Sequence, residues 1–222
     1  MSFIVRVWDA PTRLFHWLLV FAVVSLVVTA NLGGAAMVWH FRLGYGVLSL
    51  LLFRITWGFV GGYWSRFKTF TFHPSVVFNY LKGKGTSLES IGHNPIGSLS
   101  VMAMLLFLTL QVTTGLMSDD EILNSGPLTR FVSSEWVVLS TTYHKNIGKV
   151  VLLFLIVTHI IAIALYYFKK QINLVKPMIT GDKTLDVEVT QSNDTHADHL
   201  KSVLILAVCV LIVFFSVSYL ER

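Results

Sequence analysis

LFHWLLVFAVVSLVVTANL, residues 14–32, is the stretch on which the fold turns. It holds no lysine, arginine, aspartate or glutamate. At a rise of about 1.5 Å per residue it reaches nearly 30 Å, the thickness of a bilayer's hydrocarbon core. Four further stretches are of similar length and mostly apolar: His40 to Val60, Ile96 to Met117, Ile147 to Phe168 and Ser202 to Leu220. The first run has Arg6 and Arg13 ahead of it and Gly34-Ala35-Ala36 behind it, which imitates a secretory signal. It is longer than an h-region of roughly 7–15 residues and contains His16, so it reads as a retained helix.

Composition agrees. Of 222 residues, 54% are hydrophobic and 13% charged, against about 25% charged in a soluble domain. Mean hydropathy is +0.68. Together these exclude a disordered chain, a secreted disulfide module and a nucleic-acid binder, despite a pI near 9.4. The single cysteine, Cys209, allows no internal disulfide and no cysteine-based metal cluster. The expected fold is an all-α membrane protein, a four-helix bundle over residues 1–170 with a fifth helix at 201–222. A polar connection, 171–200, joins them.

Lysine and arginine set the expected orientation. Eleven lie in the N-terminal, second-to-third and fourth-to-fifth connecting segments, and five on the other side, with Arg54 inside a helix. The N-terminus is therefore expected to be cytoplasmic and the C-terminus periplasmic. Asp119, Asp120 and Glu121 give the outer side an acidic patch, either a steering surface for a basic partner or a solvated loop.

That topology sorts the eight histidines by depth. His16 and His159 fall toward the cytoplasmic side, His40 and His144 toward the outer side. Along a continuous helix His144 and His159 are roughly 22 Å apart and about 60° apart in azimuth, so both can face one bundle interior. Two imidazoles at one level on facing helices suit the two axial positions of a haem iron. The expected pairs are His16 with His159 and His40 with His144. No Cys-x-x-Cys-His occurs, so each haem would be non-covalent, of b type. Zinc fits less well, because it gathers three or four ligands at one level. Gly44 and Gly148 each follow a candidate ligand by four residues and could clear space for a porphyrin, or serve ordinary helix packing. Arg54, at the depth of the cytoplasmic pair, either meets a haem propionate or snorkels to the surface. Gln111, Thr113 and Thr114 could bond a haem edge, a quinone or neighbouring helices. His73 and His93 read as connection residues. His196 and His199, with Asp194 and Asp198, read as a solvated loop rather than a metal site.

These residues carry a resemblance. The opening Val5-Arg6-Val7-Trp8-Asp9-Ala10-Pro11-Thr12-Arg13-Leu14-Phe15-His16-Trp17 resembles that of the bacterial cytochrome b561 and Ni/Fe-hydrogenase b-type cytochrome family. So do Trp39-His40 with Leu43-Gly44-Tyr45, Phe53-Arg54 through Trp57-Gly58, and Gly92-His93-Asn94-Pro95-Ile96-Gly97. The resemblance covers residues 3 to 170 and implies two haems b on His16, His159, His40 and His144. It also implies electron transfer between the quinone pool and a periplasmic redox partner, a c-type cytochrome or a hydrogenase-like protein, at the bacterial inner membrane. Quinone oxidoreductase activity, oligomeric state and the role of the fifth helix stay open. A non-redox anchor subunit and a small-molecule transporter are the alternatives. A transporter would need a polar route or broken helices near the midplane, which the five runs do not display.

Overall fold

A computed structural model describes residues 2–85, 90–120 and 124–222 of the chain. Its elements are a strand β1 (Phe3–Arg6), then helices α1 (Ala10–Leu32), α2 (Met37–Val60), α3 (Pro74–Leu81), α4 (Pro95–Leu116) and α5 (Ser134–Thr142). A π-helical stretch, Tyr143–Gly148, joins α5 to α6 (Lys149–Lys170). Helix α7 (Val175–Thr180), strand β2 (Asp182–Leu185) and helix α8 (His196–Leu220) complete the chain. Among the described residues five helical runs are long and apolar enough to cross a membrane. Phe21, Phe154, Leu211 and Phe215, more than half exposed, lie on faces that only lipid or a partner would cover.

Capping explains where the helices begin. Asp9 precedes α1, and its Oδ1 accepts from the Thr12 amide at 2.8 Å, with Pro11 in the first turn. Asn94 caps α4 through Gly97 at 2.8 Å, ahead of Pro95. Thr195 and Asp198 form a reciprocal capping box that starts α8. That box places the start of the last helix at His196, six residues before the apolar run from Ser202. The fourth spanning helix differs more. It begins at Ser134, not Ile147, because the polar stretch Ser134–Thr142 is helical too.

The chain divides into two compact units. The first takes 1–16, 54–103 and 157–205; the second takes 17–53, 104–156 and 206–222. In the first, the connection after α6 folds back on the N-terminus. Strands β1 and β2 pair antiparallel, Phe3 opposite Leu185 and Arg6 opposite Asp182. Gly181 ends α7 at φ +92°, and its carbonyl accepts from Val7 and Trp8 at 2.9 and 3.0 Å. A Cβ there would stand 2.7 Å from the Trp8 carbonyl oxygen, so only glycine fits. Val5, Val7, Trp8 and Ile91 form the buried cluster beneath this ribbon. In the second unit Ala22, Val47, Leu51, Leu108 and Val112 interlock as the core.

Asp9 is the polar centre of the first unit. Fully buried, it accepts from Trp57 Nε1 at 3.2 Å, Gly62 N at 2.9 Å and Ser65 Oγ at 2.8 Å, besides Thr12. One carboxylate thus ties the start of α1 to the end of α2 and the turn after it. Asp9→Ala leaves these donors buried and unmet, a cost of about 3–5 kcal/mol; the expected result is a large drop in the thermal unfolding temperature. Asp194 is the second tie. It accepts from the Ala10 amide and His199 and pairs with Arg6 and Arg13. Burial alone would raise its carboxyl, but the bonds from Ala10, His199 and Arg6 outweigh burial and hold it below the ordinary value. A depressed carboxyl contributes stability that is complete above about pH 4 and lost as pH falls through the folded-state value. Protection factors at β1 and β2, exchange corrected for its intrinsic rate, should therefore fall on acidification below about pH 4, and Asp194→Asn should show the lower protection already at neutral pH.

Candidate functional site

The second unit brings His40 and His144 together. Their ring centroids are 6.2 Å apart and their planes nearly perpendicular, at 89°. His40 sits on the first turn of α2, and its Nδ1 lies 3.1 Å from the Leu26 carbonyl and 3.3 Å from Thr29 Oγ1. The Nδ1 of His144 lies 2.8 Å from the Gln111 carbonyl. A carbonyl can only accept, so each Nδ1 carries the proton and each Nε2 keeps its lone pair. This is the tautomer a metal ligand needs, held by the backbone bond that usually orients such a ligand. A metal–imidazole bond of about 2 Å, plus about 1.1 Å to each ring centre, separates two axial rings by roughly 6 Å. Two neutral imidazoles at this separation would suit the two sides of one metal ion.

The backbone around His144 is shaped for that position. Gln111 Nε2 donates to the His144 carbonyl at 2.9 Å, and a side chain bonded into the helical ladder accompanies the π-helical stretch. The α-helical step therefore does not run unbroken from His144 to His159, and the azimuth expected for a continuous helix does not apply. Gly115 lies against the ring, since a Cβ there would come within 2.8 Å of His144 Cε1. Gly44 borders open space, with nothing within 4 Å of the place a Cβ would take. Gly148 does not: a Cβ there would meet Gln111 Oε1 at 2.1 Å and Tyr143 Cε1 at 2.6 Å. The space expected there for a porphyrin is filled by those two side chains, because the π-helical stretch ends on Gly148. Gln111 bonds the neighbouring helix, and Thr114 bonds Leu110 one turn back on its own.

In the first unit His16 on α1 and His159 on α6 are half-buried and within electrostatic range of each other. Arg54 stands in the same unit, 3% exposed, so it does not snorkel to the surface. Its guanidinium sits 4.8 Å over the Phe67 ring, within the field of Asp9. Phe67 reaches that place across Gly58, where any Cβ would stand 2.2 Å from the ring. Nη1 of Arg54 has no hydrogen-bond partner among the described residues. An unmet buried charge-bearing donor costs more than about 1–3 kcal/mol, so an acceptor from outside the protein chain is the natural complement.

His93 belongs to this site and not to a solvated connection. Its Nδ1 is shielded and unpartnered, and its ring lies 4.6 Å from Trp8 and 4.8 Å from Phe70. Desolvation, reinforced by Arg54 and Lys183, pulls its titration down to about 3, so the imidazole is neutral. Burial likewise lowers Lys183 to about 8, while its Nζ donates to the Ser90 and Ile91 carbonyls. The sequence signal for His93 was its place directly before the Asn94-Pro95 helix start. His73 bonds Ser75 Oγ at 2.7 Å, and His199 pairs with Asp194. No cluster of three or more His, Cys, Asp or Glu able to hold a metal ion occurs among the described residues. Of the acidic patch, Asp119 is bonded to Thr141 and Asp120 to Asn124, while Glu121 lies outside the described residues.

The family model described as prokaryotic cytochrome b561 matches residues 7–181. A probable Ni/Fe-hydrogenase B-type cytochrome subunit of Bradyrhizobium diazoefficiens is 24% identical, over 81% of this chain and 85% of the relative. The subunit of the same description from Rhizobium leguminosarum bv. viciae is 25% identical, over 81% and 88%. A probable Ni/Fe-hydrogenase 1 B-type cytochrome subunit of Escherichia coli K12 is 28% identical, over 49% and 57%. No solved structure matches the chain. With five apolar spans and a match over most of its length, the chain belongs to the prokaryotic cytochrome b561 family and is a membrane b-type cytochrome of electron transfer.

Proposed function

We propose that this chain holds two haems b, one between His16 and His159 and one between His40 and His144. We further propose that it carries electrons across the cytoplasmic membrane between the quinone pool and a periplasmic redox protein. The observation that carries this reading is the His40–His144 pair, 6.2 Å apart with both Nδ1 atoms committed to backbone carbonyls. Haem iron supplies one-electron chemistry when bound. The protein's part is to present two neutral imidazoles, to exclude water with apolar helix faces and to neutralise the haem's carboxylates. Arg54, buried with a free Nη1, meets one propionate. Gly44 leaves room beside His40, and Gly115 lies against the His144 ring.

The lysine and arginine asymmetry of the connecting segments supports a cytoplasmic N-terminus and a periplasmic C-terminus. A basic c-type cytochrome or a hydrogenase-like partner would dock on the periplasmic side. The relatives' description as hydrogenase subunits supports a redox protein as partner.

A pyridine haemochrome assay on purified protein should give two haems per chain. His144→Ala and His159→Ala should each give one, and the double variant none; two haems in both single variants would remove the ligand assignment. Ubiquinol or menaquinol should reduce the haem of the wild-type protein in membranes. A preparation with full haem that neither quinol reduces would separate the cytochrome from the quinone pool.

A further inference from the structure

His93 is a polar side chain of the first unit that neither the spanning helices nor the four histidine ligands explain. Trp8 and Phe70 flank its ring, and Phe70 abuts Phe67 at 5.5 Å. Over the face of Phe67 sits the Arg54 guanidinium. Arg54 and His93 therefore stand at the two ends of one aromatic wall. Each ends in a shielded nitrogen with no protein partner, Nη1 of Arg54 and Nδ1 of His93. His93 lies within electrostatic range of Arg54, Lys183, His16 and His159.

Among the described residues, nearby acceptors already take other donors. Asp9 takes four donors, and the carbonyls of Ser90 and Ile91 take Lys183. What remains is a set of donors around one wall, with a permanent cation at one end. An anionic ligand that brings two carboxylates on one edge complements that set, and haem b carries its two propionates in this way.

We infer that His93, through Nδ1–H, anchors one propionate of the haem held by His16 and His159, while Arg54 anchors the other. This rests on the haem assignment above. A donor to a propionate attenuates its negative charge and so favours the reduced, less positive iron.

The test compares purified full-length wild type with His93→Phe and His93→Asn. The Asn amide nitrogen stands close to where Nδ1 stands; Phe keeps the aromatic packing and removes the donor. His93→Leu takes its place should the Phe variant not assemble. Haem content, the propionate bending mode in resonance Raman spectra and redox potentiometry are measured on each. All should hold two haems. In His93→Phe the propionate mode should shift and one of the two midpoint potentials should fall, and His93→Asn should return both toward wild type. Two haems with the propionate mode and both potentials unmoved in His93→Phe would overturn the anchor alone. So would equal shifts in the Phe and Asn variants. Haem-free wild-type protein would overturn the haem assignment and the anchor with it.

Discussion

A single buried carboxylate holds the first unit closed. Asp9 has no cation bonded to it; it is satisfied by neutral donors from three places in the sequence, Thr12 on α1, the Trp57 indole of α2, and Gly62 and Ser65 in the following turn. Desolvating a carboxylate costs several kcal/mol, which hydrogen bonds must offset, so the donors are as constrained as the acceptor. Gly62 can approach so closely only because it lacks a Cβ, which would fall 2.3 Å from Asp9 Oδ2. With α1 and α2 tied here, the positions of His16 and Arg54 follow from helix geometry, seven residues after Asp9 and three before Trp57. His16 and the buried Arg54 inherit their precision from this knot.

The second unit reaches the same end by other means. There the histidines are fixed by backbone carbonyls. His40 reaches back to Leu26 and Thr29 at the end of α1, and His144 reaches Gln111 on α4. The Gln111 residue contributes twice: its carbonyl accepts from the imidazole, and its amide bonds the carbonyl of the same histidine. Such a two-point contact sets the ring's tautomer and the local course of the helix together. The π-helical stretch is thus coupled to the ligand that it carries.

Five spans were legible because hydrophobic length is a property of local sequence. What was not legible depends on tertiary partners. Thr195 and Asp198 do form a local capping signature, yet a polar segment before an apolar run masks it. The helical start at Ser134 has no apolar periodicity to report it, and the π-helical stretch answers to Gln111, 33 residues away from His144. The close surroundings of Gly148 accordingly favour packing, one of its two readings. His93 was hidden by its setting in a polar connection; its burial comes from Trp8 and Phe70, which are far from it in sequence.

Polar residues in a membrane cytochrome are few, so where they go unpaired is informative. The first unit spends its carboxylates on structure: Asp9 on neutral donors, Asp194 and Asp182 on Arg6 and the start of α1. Its buried cation, Arg54, is bonded to none of them through Nη1. A guanidinium keeps its charge at neutral pH even when buried. An anion brought by a bound cofactor would offset its desolvation, which is the part proposed above for a haem propionate.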